Sequence, residues 1–126
     1  MCYFTMLHVK STSKLTSFVH LVCIADIRSR IKDERIISLD EQSDLFQLKQ
    51  IIRDTAIATS YLLLEAKSIG LAACWTCWFQ QKDIRTILGI PEDKFVVGVI
   101  ALGHSEFTRR PTPRRKITDI LRYEKW

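Results

Sequence analysis

Residues 54–79 read Asp54-Thr-Ala-Ile-Ala-Thr-Ser-Tyr-Leu-Leu-Leu-Glu-Ala-Lys-Ser-Ile-Gly70-Leu71-Ala72-Ala-Cys-Trp-Thr-Cys-Trp-Phe79. The first part of this stretch is helical by its spacing. Ile51, Thr55, Ala58, Leu62, Ala66 and Ile69 recur at helical intervals, and Ile52, Ala56, Thr59 and Leu63 form a neighbouring stripe. Two adjacent stripes cover more than half the circumference. The spacing therefore predicts a largely buried helix from about Leu45, with Arg53, Glu65 and Lys67 on its polar side. No proline interrupts the run, and Gly70 stands where a left-handed residue would end it. Asp54 is read as favouring the positive end of this helix rather than as an acid or base. The second part, Leu71 to Phe79, is short, apolar and aromatic, which predicts a strand or a buried extended segment.

Toward the C-terminus, Lys82 to Leu88 predicts a short helix with Ile84, Ile87 and Leu88 on one face, stopped by Gly89 with Pro91 beyond. Phe95 to Leu102 predicts a buried strand, in which Gly98 marks a close backbone approach. A basic, proline-bearing segment follows Gly103, and Ile117, Ile120 and Leu121 give a last amphipathic stretch. Toward the N-terminus, Phe18 to Ala25 is continuously apolar apart from His20, the pattern of a strand covered on both faces. Cys2 to Val9 is a plausible first strand, and the charged Asp26 to Asp44 reads as a loop or surface segment. No repeat or low-complexity tract divides residues 1–126, so one domain is expected. Alternating strands and helices predict an α+β fold, an α/β sandwich.

Composition narrows the function classes. With 126 residues, 47% hydrophobic and 26% charged, the chain has the make-up of an ordinary soluble domain. No apolar run is long enough to span a bilayer. Lys10 and Lys14 interrupt any apolar signal core, so the expectation is a cytoplasmic protein without a membrane partner. Of four cysteines, Cys23 lies in an apolar run where a thiol acts as a small hydrophobe, which fits a reducing compartment. The net charge of +5 is concentrated in residues 109–116, Arg-Arg-Pro-Thr-Pro-Arg-Arg-Lys. Such a run could meet a cofactor phosphate, a nucleic-acid phosphate or water. It has no interleaved aromatics after Phe107, which speaks against nucleic acid as a partner.

The order of these segments resembles the nitroreductase family. The helix of residues 54–71 resembles that family's central helix, and Ala72-Ala-Cys-Trp-Thr-Cys-Trp-Phe79 is similar to its Gly-Leu-Gly-Thr-Cys-Trp-Ile-Gly type of segment. Ile87-Leu-Gly-Ile-Pro-Glu-Asp93 and Phe95-Val-Val-Gly-Val-Ile-Ala-Leu-Gly-His104 resemble the two segments that follow it. Pro113-Arg-Arg-Lys-Ile-Thr-Asp-Ile-Leu-Arg-Tyr-Glu-Lys-Trp126 resembles the closing one. The likeness is strongest over 54–126. It implies a mixed or antiparallel sheet with a central buried helix, and an intimate homodimer with FMN at the interface. It further implies hydride transfer from NAD(P)H to a nitro compound, quinone or other small-molecule acceptor. Nothing in Met1 to Lys10 matches the family's opening Arg-Arg-Ser-x-Arg segment, so the resemblance is to a relative truncated at its N-terminus. That leaves a second function class beside the oxidoreductase: a dimeric remnant of the fold that binds no flavin and acts as an interaction protein.

The resemblance also implies site residues. Arg114, with Arg115 as its neighbour, matches the family arginine that reaches the FMN phosphate, where a guanidinium offers charge and a donor fork together. Thr76 and Cys77 match the backbone that lies against the flavin ring, and Cys77 and Ala72 stand where relatives carry glycine. Trp75, Trp78 and Phe79 could stack on a flavin, although aromatics in a buried segment more often pack a core or an interface. Cys74 and Cys77 admit a redox pair or a zinc site in principle. The motif follows a helix instead of opening one, and no second ligand pair matches, so two core thiols are expected and no metal. The sequence offers no obvious acid or nucleophile to set beside His20 or His104, and no catalytic residue is assigned.

Overall fold

The computed structural model describes residues 2–9, 18–30, 39–105 and 112–124. Its strands are β1 (Cys2–Val9), β2 (Phe18–Asp26), β3 (Ala72–Thr76) and β4 (Lys94–Gly103); its helices are α1 (Phe46–Ser68), α2 (Gln81–Leu88) and α3 (Ile117–Ile120). A 3₁₀ turn, Ile27–Ser29, follows β2. The strands form one sheet in the order β1-β2-β4-β3, and every described pairing is antiparallel. The α+β architecture read from the sequence is thus present, with the antiparallel form of the sheet.

The central strands β2 and β4 are covered on both faces, as the apolar run Phe18 to Ala25 predicts. Cys23, Ala25, Val97 and Ile100 pack with Leu48 and Ile51 of α1. Val22, Ile24 and Val96 pack on the other face with Ile84 and Leu88 of α2. Strict alternation would not place both Val97 and Ile100 on the α1 side. The register resolves this: Cys23 pairs with Gly98 and Ile24 with Val96, so Val97 is an extra residue that resets the alternation. Each fully buried aliphatic here, such as Ile100, Leu48 or Leu39, contributes about 1.5–3 kcal/mol as an upper estimate.

Helix α1 begins at Phe46 and yields at Gly70, which has φ +82° as its position predicts. Ile51, Thr55, Thr59 and Ala66 are buried, whereas Arg53, Glu65 and Lys67 are exposed. Thr59 is accommodated by returning its hydroxyl to the Thr55 carbonyl at 2.8 Å. Two expectations need correction. Asp54 lies eight residues into the helix, and its carboxylate pairs with Arg30 at 2.8 Å instead of serving the N-terminus. The helix is also less enclosed than its apolar content implies, because Ile57, Tyr61 and Leu64 are exposed.

Helix α2 ends at Gly89, left-handed at φ +64°, as expected. Its packed face differs from the expected one. Ile84 and Leu88 are half-buried but Ile87 is exposed, while Gln81 and Arg85 are buried. The amide of Gln81 donates to the Val96 carbonyl at 2.9 Å and accepts from the Val96 N–H at 2.8 Å, pairing with β4 like a strand residue. The Arg85 guanidinium donates to the carbonyls of Leu39, Glu92 and Lys94. With Leu39 N–H donating to the Glu92 carbonyl and Glu41 accepting from the Gln81 N–H, these bonds tie residues 39–41 to α2 and to the start of β4. Within the charged stretch Asp26 to Asp44, residues 31–38 lie outside the described residues, but its continuation contains Leu39, one of the most buried side chains.

Candidate functional site

Strand β3 is the edge of the sheet next to β4, so one side of its backbone carries N–H and C=O groups with no ladder partner among the described residues. The expectation of a buried segment fails here. Ala72, Ala73, Cys74, Thr76 and Cys77 are exposed, and Trp78 is fully so. The two cysteines are exposed free thiols, not core thiols, whereas Cys23 is buried as expected. The segment is apolar without being internal, which composition alone cannot distinguish.

Trp75 is the exception within β3. It pairs with Ile100, which places Gly98 on the diagonal of the same face. A Cβ at Gly98 would overlap the Trp75 Nε1 and stand 2.8 Å from Cδ1, so the indole occupies the space a side chain would need. The close approach predicted for Gly98 is real, and its cause is Trp75. The indole Nε1 is buried and has no hydrogen-bond acceptor among the described residues. Trp75 is therefore wedged toward the α1 side with the core around Ile100, while the residues on either side of it, Cys74 and Thr76, are exposed.

The sequence-derived residues thus divide into two groups. Trp75, Thr76 and Cys77 are contiguous at the exposed end of β3, with the first locked and the other two accessible. Arg114 and Arg115 lie in an irregular segment before α3, both exposed, and among the described residues no hydrogen bond or ion pair ties either to another residue. Arg109 and Arg110, part of the same basic run, lie outside the described residues. In α3 and just beyond it, Ile117, Ile120, Leu121 and Tyr123 are all exposed, so the amphipathic stretch does not bury its apolar side in its own chain.

Chemically, the end of β3 offers backbone donors on a surface a flat ring can approach without disturbing the core. The Arg114–Arg115 pair offers a guanidinium fork suited to phosphate. Backbone donors and a guanidinium fork are the kinds of group that the ring and phosphate of a flavin mononucleotide call for. A stripe on α1 that the sequence reading left unused lies exposed as well: Ile57, Tyr61 and Leu64, at i, i+4 and i+7. That spacing was visible in the sequence as a third apolar stripe. Among the described residues there is no cluster of three or more potential metal ligands, and no helix is long and apolar enough to cross a membrane.

Comparison with known proteins supports the fold and the lineage. The family model for the nitroreductase family matches residues 22–104, well over half the chain. A protein of Archaeoglobus fulgidus named "Putative NADH dehydrogenase/NAD(P)H nitroreductase" is 26% identical over 97 residues, covering 72% of this chain and 56% of its own. The chain spans about half the length of the curated relatives it matches. Among solved structures, a nitroreductase family protein from Clostridium difficile superposes with a TM-score of 0.72 at 18% identity, over 99% of this chain and 74% of that one. The NADPH:FMN oxidoreductase from Vibrio harveyi, solved with NAD+, superposes with a TM-score of 0.65 at 21% identity, over 86% of this chain and 46% of that one. At these identities the superpositions speak for the fold, and the family model speaks for descent. By that model, and with the fold in agreement, this chain belongs to the nitroreductase family.

Proposed function

We propose that the chain takes part in FMN-mediated hydride transfer from NAD(P)H to a nitro compound, a quinone or a similar small-molecule acceptor, acting in the cytoplasm as one half of a homodimer. The observation that carries this reading is the end of β3, where Thr76 and Cys77 are exposed beside a tryptophan locked in the core. When bound, FMN supplies a ring that accepts and returns hydride; the protein's part is to hold that ring and leave one face open. Backbone N–H groups at Thr76 and Cys77 would meet the ring edge. Arg114, with Arg115 beside it, would hold the phosphate, and Trp75 would keep the strand end in place without touching the ligand.

Surface chemistry supports the homodimer in this reading. The Ile57, Tyr61 and Leu64 stripe and the Ile117, Ile120, Leu121 and Tyr123 group are both apolar and exposed, and contiguous apolar surface of this kind marks an association site. The competing reading, a dimer that binds no flavin, draws on the same apolar surfaces and on the Cys77 side chain at a position where relatives carry glycine.

One experiment separates the two. FMN is titrated into purified protein while flavin absorbance and sedimentation are followed, and the holoprotein is then mixed with NADH or NADPH. Stoichiometric binding to a dimer, weakened about tenfold or more by Arg114→Ala and Arg115→Ala together, followed by flavin bleaching, supports the oxidoreductase. A dimer that leaves FMN free would establish the interaction protein.

A further inference from the structure

A cleft of about 420 Å³ opens on the α2 side of the sheet, away from Trp75 and the exposed face of α1. Its apolar wall is Ile24 of β2 with Leu88, Ile90 and Pro91 from the end of α2 and the loop beyond. Gly89 contributes backbone only. Its charged end is made by Arg28, from the turn after β2, and Lys94, at the start of β4. An apolar wall with a few converging polar groups, in a volume of this order, is the usual make-up of a small-molecule site.

The charged end has a definite polarity. Arg28 contacts the carboxylates of Asp26 and Asp93 at 3.3 Å each, and Lys94 Nζ contacts Asp26 at 3.3 Å and Asp93 at 2.7 Å. Among the described residues the network joins two cations to two carboxylates, and their placement is uneven. The Arg28 side chain is 64% exposed, whereas those of Asp26 and Asp93 are 5% and 22% exposed. The acids sit behind and the guanidinium faces out. Lys94, whose side chain is 11% exposed, uses two of its three N–H groups on these carboxylates and forms part of the cleft wall. An anion entering the cleft meets the Arg28 guanidinium first, with Lys94 behind it, and its apolar body meets Ile24, Leu88, Ile90 and Pro91.

We propose that this cleft binds a small aromatic carboxylate, with the ring on the apolar wall and the carboxylate at Arg28 and Lys94. A mono- or bicyclic ring suits the volume, and the open side leaves room for substituents. The site is separate from the flavin reading of β3. It requires neither FMN nor the dimer, so flavin titration and this test fail independently.

The probe is 2-naphthoate, titrated into the flavin-free protein and followed by amide chemical shifts, with neutral 2-naphthamide as control. The expected result is saturable shifts centred on Ile24, Gly89, Ile90 and Lys94, with a Kd on the order of a millimolar, as suits a ligand of this size. The amide should bind about fivefold more weakly or worse, the equivalent of one solvent-accessible charge pair. Arg28→Gln should weaken naphthoate by a similar factor without changing naphthamide, and Arg28→Lys should restore most of the loss. The shift map of the unliganded variants shows directly whether they remain folded. Equal binding of acid and amide, an unaltered Kd in both folded Arg28 variants, or shifts centred on α1 or β3 would each overturn the proposal.

Discussion

Trp75 and Gly98, on neighbouring strands, share one volume: the indole lies where the Cβ of any other residue at position 98 would have to be. The bulge at Val97 delivers Gly98 to the α1 face, and the β3 register sets Trp75 on the diagonal from it. The pair fixes an otherwise exposed edge strand through one half-buried side chain. Its internal cost is the indole N–H, buried without an acceptor among the described residues, a penalty of about 1–3 kcal/mol that the burial of the ring must exceed.

Gly98→Ala should therefore be among the most damaging single-methyl changes in this chain. The indole must leave its seat or the strands must separate, and overpacking of this kind costs about 1–3 kcal/mol or more. Urea unfolding should show the loss. Trp75→Phe, which shortens the ring and removes the orphan donor, should recover part of it in the double variant. A Gly98→Ala protein as stable as the parent would disprove the wedge.

Arg85 ties backbone at residues 39 and 92 to the first residue of β4. Its loss in Arg85→Met would leave the Leu39, Glu92 and Lys94 carbonyls without their shared donor, a cost of about 3–5 kcal/mol. Arg85→Lys should fall between the two, since an ammonium cannot reproduce the fork. Hydrogen exchange should locate the loosening at residues 39–41 and the start of β4, with the β2–β4 ladder opening only on global unfolding.

Asp26 predicts an acid-sensitive step. Burial pushes its carboxyl up, but hydrogen bonds from the Arg28 side chain and backbone N–H, and from Lys94, together outweigh burial and leave it below the ordinary value of 3.8. A pKa lower in the folded than in the unfolded chain contributes stability that is complete above about pH 4 and is lost as pH falls through the folded value. The stability gap between the parent and Asp26→Asn should be constant from pH 7 to about 5 and narrow below about pH 4. A gap that stays level down to pH 3 would contradict the network.

The exposed stripe on α1 predicts self-association. Ile57→Glu with Leu64→Lys should shift sedimentation toward the monomer while leaving the helical circular dichroism intact, since neither side chain packs in its own chain's core. Equal sedimentation of parent and variant across the micromolar range would remove α1 from the interface.

The stretch that begins at Asp54 carried most of what could be read in one dimension. Helical spacing, Gly70 and Gly89 as terminators, and the apolar runs of β2 and β4 are local signals: they report backbone geometry and which positions avoid water. They correctly placed α1, α2, β2 and β4, and the glycine within β4 announced a close contact. Local pattern cannot say which apolar surface faces this chain's core and which faces outward, because both exclude water equally well. That is why β3 and the thiols of Cys74 and Cys77 read as buried, and why the outer stripe of α1 went unused. Nor can it foresee polar side chains that satisfy distant backbone, and Gln81 and Arg85 entered the interior through bonds to Val96, Leu39, Glu92 and Lys94. Sequence by itself determined the elements, their order and the family. Tertiary structure alone decided the partner of Gly98, the exposure of Thr76 and Cys77, and the joining of Arg28 to Lys94 across one cleft, because each depends on residues far apart in the chain being packed side by side.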